Sequence, residues 1–124
     1  MSYQTNITEN FKRSEFACGC GCGYDSIDER LVHRLQVIRD YIRQSMIINS
    51  GCRCLSHNNN VGGAPSSLHT KGQAVDFWVR DSRGIADGHA MARIAQEFGN
   101  WSGGFKYYDD KLFIHVDIGP RRRW

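Results

Sequence analysis

The sequence predicts an α+β fold, a small antiparallel sheet with helices packed on one side. Apolar residues recur at helical spacing in two segments, near residues 27–44 and 87–98. Short runs at 46–49, 73–79, 103–108 and 111–118 read as strands, the last two as a hairpin. Glycine is frequent, at 13 of 124 residues, and proline scarce, at 2, so tight loops surround a small core. The length suits one domain spanning 1–124, and no repeat or linker divides it.

Residues 1–14 are polar and read as a lead-in that Phe11 and Phe16 pin to the core. Residues 17–25 are a glycine-rich loop. Ser26-Ile27-Asp28-Glu29 then has the form of a capping box, with Ser26 at the N-cap. Leu31, Leu35, Ile38 and Ile42 make the apolar stripe of a first helix. Met46-Ile47-Ile48-Asn49 is a short buried strand, and 50–72 a long loop of Gly, Ser and Asn. Loops of that length in compact domains usually carry function. Asp87 caps a second helix with Met91, Ile94, Ala95 and Phe98 on one face and Gly99 as its stop. In the last strand Leu112, Ile114, Val116 and Ile118 share one face, and Phe113, His115 and Asp117 the other. Asp109-Asp110 forms the hairpin turn.

The net charge is +3, too mild to imply nucleic acid, although it favours an anionic surface. Arg121-Arg122-Arg123 reads as a solvated tail. No apolar run approaches membrane-spanning length, so no membrane insertion is expected. Met1-Ser2-Tyr3-Gln4-Thr5-Asn6 lacks the charged and apolar regions of a signal peptide. Synthesis in the cytoplasm is expected, and so is a monomer.

Chemistry concentrates in Ser67-Leu68-His69-Thr70-Lys71-Gly72-Gln73-Ala74-Val75-Asp76 and in Phe113-Ile114-His115-Val116-Asp117. His69 precedes strand 73–79, Asp76 lies within it, and His115 comes from the polar face of the neighbouring strand. Gly72 lets the chain turn, and Ala74 leaves room. Two imidazoles and a carboxylate suit Zn²⁺, and three protein ligands leave the open position that a hydrolytic zinc needs. Each residue alone reads as an ordinary hydrogen-bonded side chain. The set is what points to a metal.

The pattern resembles the zinc D-Ala-D-Ala carboxypeptidase-like murein peptidases, in their small bacterial and phage branch, which share a metal site with the hedgehog signalling domain. The resemblance runs over residues 10–124. It includes Ser50-Gly51-Cys52-Arg53, His57-Asn58, Val61-Gly62-Gly63, Ser67 before His69, and the ending His115-Val116-Asp117-Ile118-Gly119-Pro120-Arg121-Arg122-Arg123-Trp124. It implies that His69, Asp76 and His115 ligate zinc. It also implies hydrolysis of peptide bonds in peptidoglycan stem peptides or cross-links, by a carboxypeptidase or endopeptidase. The place of action would be the cell wall, reached on lysis, as by a phage endolysin, or by export along another route.

By the same resemblance Arg53 lies near the substrate carbonyl or carboxylate, where a guanidinium forks onto a carboxylate or steadies an oxyanion. Its plainer role is a surface ion pair. Ser67 bonds within the metal loop, holding His69, and is counted with Arg53 among the substrate-binding residues. The general base departs from the family. Many relatives carry Glu or Asp three residues before the last zinc histidine, and others a histidine two before. Here these are Leu112 and Phe113. Asp109, Asp110 and Asp117 are the candidates. Asp117 has the competing role of orienting a ligand histidine, and Asp109-Asp110 that of plain turn residues.

Five cysteines fall in two groups, Cys18, Cys20, Cys22 and Cys52, Cys54. Disulfides, a structural metal and free thiols all remain open, though C-x-C spacing differs from the usual C-x₂-C knuckle. Two other functions compete with hydrolysis. A non-catalytic zinc-containing binding module would explain Leu112 as a lost base. A cysteine-based redox or metal-storage role would leave the histidines idle.

Overall fold

The computed structural model describes residues 6–64 and 67–119. Four strands form one antiparallel sheet: β1 (Met46–Ser50), β2 (Ala74–Val79), β3 (Phe105–Tyr108) and β4 (Phe113–Asp117), in the order β1-β2-β4-β3. Three helices accompany it: α1 (Glu29–Ile42), α2 (Leu55–Asn60) and α3 (Gly88–Phe98). The α+β class read from the sequence is the observed one.

Alternation decides which face of the sheet is covered. Val75, Phe77 and Val79 of β2 and Ile114 and Val116 of β4 are fully buried. They form one core with Leu31, Leu35 and Ile38 of α1 and Met91 and Ile94 of α3. Fully burying one such side chain contributes about 1.5–3 kcal/mol. Cutting Phe77 to Ala would cost roughly 3–5 kcal/mol. The opposite face of β2 and β4 carries Asp76, His115 and Asp117 beside Ala74, Trp78 and Phe113. The lead-in is tied to the same core: Phe11 and Phe16 are buried with ring centroids 5.9 Å apart.

Three expectations need correction. The N-cap of α1 is Asp28, not Ser26: its carboxylate accepts from Arg30 N at 3.0 Å. Asp caps as well as Ser, and a bond from Asp28 N to Gly72 O (2.8 Å) fixes the chain at this point. Second, 50–72 is not all loop, because it holds α2 and a 3-10 turn at Leu68–Lys71. The α2 sequence Leu-Ser-His-Asn-Asn-Asn carries no apolar stripe, so no helical period betrays it. Third, β4 begins at Phe113. Leu112 belongs to the turn, with φ +56° and an exposed side chain, and its amide bonds to Tyr108 O at 2.7 Å. It therefore lies on neither strand face. The run Arg121-Arg122-Arg123 falls outside the described residues.

Candidate active site

The register of β2 on β4 pairs Asp76 directly with His115, on the face away from the core. His69 reaches them from the 3-10 turn just before β2. Ser67 Oγ accepts from His69 N (3.2 Å) and Thr70 Oγ1 donates to Ser67 O (2.6 Å), which shapes that turn. Gly72 ends it at φ +67°, where a Cβ would run into the backbone carbonyl of Ser26. Only glycine permits this return into β2. One ligand atom from each of His69, Asp76 and His115 lies within 4.8 Å of the others.

Hydrogen bonds assign the ring nitrogens. His69 is buried, and its Nδ1–H donates to Gly51 O at 2.8 Å. That leaves Nε2 facing Asp76 Oδ2 at 3.4 Å. His115 donates from Nδ1 to Asp76 Oδ1 (2.7 Å) and from Nε2 to Asp117 Oδ2 (2.9 Å). Carboxylates only accept, so without a metal this ring is an imidazolium. Desolvation alone would lower its pKa, but the bonds to Asp117 and Asp76 raise it to about 9. Burial alone would raise Asp76, yet the two histidines hold its carboxyl well below the usual range. A cation in place of the Nδ1 proton would meet two imidazole nitrogens and a carboxylate, each already aimed. The donor set fits zinc.

The three residues line a cavity with Arg53, Tyr108 and Phe113. Arg53 is held at its backbone by His69 O (2.9 Å) and at Nη1 by Asn58 Oδ1 (3.1 Å). Asn58 is itself buried and donates from Nδ2 to Ala64 O at 2.8 Å. Arg53 Nε is buried with no hydrogen-bond partner among the described residues, and desolvation lowers the pKa of the guanidinium. A cation held half out of water beside a metal set is suited to an anionic group of a ligand. Tyr108 and Phe113 stack with centroids 4.6 Å apart and form an aromatic wall.

A family model described as peptidase M15 matches residues 9–117. The chain belongs to the peptidase M15 family. These peptidases depend on zinc, and His69, Asp76 and His115 form a group that could hold a metal ion. Among similar proteins, the peptidoglycan L,D-endopeptidase MepK of Escherichia coli K12 is 34% identical over 107 residues, covering 80% of this chain and 55% of its own length. The protein of that name from Shigella flexneri aligns equally. A probable peptidoglycan L,D-endopeptidase MepK of Haemophilus influenzae is 40% identical over 63 residues, 51% of this chain and 31% of its own. The M15 chain thus spans about half the length, or less, of the curated relatives it matches.

The remaining candidates of this M15 site stand in two different places. Asp117 is fully buried behind His115. Its Oδ1 accepts from Gly104 N (2.8 Å) and Gly119 N (3.0 Å), and its Oδ2 faces His115. Asp109 and Asp110 are exposed on the turn between Tyr108 and Phe113, and neither lines the cavity. Among the described residues Asp76 is the one carboxylate that does. Sequence reasoning gave no role to Asn58, Tyr108 or Phe113. Asn58 stands in an undistinguished Asn58-Asn59-Asn60 run, but the two aromatics flanking a hairpin turn were a usable signal.

Proposed function

We propose that this M15 chain hydrolyses peptide bonds in the stem peptides or cross-links of peptidoglycan, with zinc held by His69, Asp76 and His115. The observation that carries the reading is the convergence of these ligand atoms beside Arg53 in an accessible cavity. The names of the relatives favour an endopeptidase over a carboxypeptidase.

When bound, zinc polarises the scissile carbonyl and makes water acidic enough to attack it at neutral pH. The chain's own residues do the rest. Gly51 O and Asp117 fix the orientation of the two rings through the nitrogens that do not face Asp76. Arg53 binds a carboxylate or the developing oxyanion, with Asn58 keeping the guanidinium in place. Tyr108 and Phe113 supply an apolar wall for the stem peptide. The engagement of both Asp117 oxygens supports an orienting role for it. The general base is then Asp109 or Asp110, on a turn whose two ends line the cavity. Ser67 acts by holding the His69 turn.

Mass spectrometry of purified peptidoglycan after incubation with zinc-loaded protein tests this. New muropeptides cut within the peptide, and none after metal removal, are expected. No new product on several wall types would overturn it. That result would favour the non-catalytic binding module, for which the absence of a second carboxylate from the described cavity lining speaks.

A further inference from the structure

The five cysteines do not group as the sequence spaces them. Cys52 turns into the core: it is buried, its amide bonds to Phe16 O at 2.8 Å, and desolvation pushes its thiol up to about 11. Cys54 turns the other way and meets the glycine-rich loop. Its Sγ lies 3.9 Å from that of Cys18 and 3.6 Å from that of Cys20, and Cys18 and Cys20 are 3.4 Å apart. With Cys22 the four sulfurs all lie within 4.8 Å of one another.

That is the spacing of ligands around a tetrahedral ion. Zinc–sulfur bonds of about 2.3 Å at tetrahedral angles put neighbouring sulfurs roughly 3.8 Å apart. A disulfide joins two sulfurs at about 2.05 Å and leaves the other two without a reason to converge. The backbone is built to the same end. Gly21 and Gly23 adopt φ +82° and +91°, which curls Cys18-Gly19-Cys20-Gly21-Cys22 about one point. Amides point at sulfur: Cys54 N donates to Cys18 Sγ and His57 N to Cys54 Sγ, both at 3.4 Å. Such donors stabilise thiolates, the form that ligates.

We propose that Cys18, Cys20, Cys22 and Cys54 bind a second, structural zinc ion, separate from the histidine–aspartate site. Four protein ligands close the coordination shell, so this ion has no open position for chemistry. Binding forms four zinc–sulfur bonds and releases the thiol protons to solvent. The ion ties the loop before α1 to the start of α2, with Arg53 next to a ligand, so it steadies the cavity wall from outside.

The test is zinc stoichiometry on the whole chain, purified under reducing conditions. Two ions per wild-type chain are expected, one in a His69→Ala/His115→Ala double variant, and one in Cys20→Ser/Cys22→Ser. The histidine variant, stripped and titrated with Co²⁺, should develop intense thiolate-to-cobalt charge-transfer absorption. Failure of the histidine–aspartate site leaves that absorption in place, so the two sites fail distinguishably. Should the cysteine variant not fold, alkylation of the wild type decides. Cys20 and Cys22 are exposed, yet they should resist the reagent while loaded and react once a chelator is added. A histidine variant without zinc or cobalt absorption, thiols that react freely in the zinc-loaded wild type, or a disulfide among these four in the intact mass would each overturn the proposal.

Discussion

The two convergent clusters of this chain make opposite uses of the same backbone economy. His69, Asp76 and His115 are set by strand register: two of the three are cross-strand partners, and they face a cavity. The four thiols are set by a glycine-curled loop and a helix cap, and lie outside that cavity. Three ligands, two on a rigid sheet and one on the turn before it, would leave room for a reacting group, whereas four on a loop and a helix cap would leave none. The number of ligands and what lines their surroundings separate a place for chemistry from a place for holding.

The sharpest way to break this contrast is to remove a sheet ligand. Asp76→Ala and His115→Ala should each abolish muropeptide release and lose one zinc, measured by metal content, while cysteine-bound zinc stays. Stoichiometric zinc at the histidine–aspartate site in both variants would end the assignment. Next in size, Arg53→Ala should lower turnover about 10²–10³-fold. Its melting temperature should stay near that of the wild type, since the side chain's one described protein partner is Asn58. Asp117→Asn should weaken zinc affinity by roughly 10–100-fold, because it disturbs the ring of His115. Asp109→Asn or Asp110→Asn, whichever removes the base, should cut turnover with zinc retained. Asn58→Ala removes one anchor of Arg53. The lost contact, of about 1–1.5 kcal/mol, predicts roughly a tenfold fall in turnover.

Acidity separates the two clusters further. Zinc held by this group would displace the Nδ1 proton that His115 keeps up to about pH 9. Uptake at pH 7 should release about one proton per ion from this ring, and affinity should rise with pH until about 9. Calorimetry in buffers of different ionisation enthalpy, on the cysteine-blocked protein, counts that proton. In the metal-free chain the sign is reversed. The raised pKa stabilises the fold fully below about 6.5, and that contribution fades as pH climbs to about 9.

What the sequence made legible follows from which regularities are local. α1 and α3 announce themselves by period, and the meeting of His69, Asp76 and His115 by a short turn into an alternating strand. Depth was hidden. Alternation puts Asp117 and His115 on one face, but not that Asp117 is sealed while His115 meets the cavity. Leu112 read as a strand residue because its neighbours alternate, and only the left-handed turn displaces it. The cysteines misled for a similar reason. Cys52 and Cys54 are neighbours in sequence, yet one faces the core and the other the loop. No local pattern reveals which thiol meets a group 36 positions away.

That separation has a consequence for the chain before it folds. Cys18 and Cys54 bracket the whole of α1 and β1. An ion gripping both ends ties off a loop of that length in the denatured ensemble. On the chain-entropy model of a cross-link, such a loop removes roughly 4 kcal/mol of disordered freedom. The metal would thus act as a staple on the unfolded polymer, a benefit that none of the contacts in the finished fold displays.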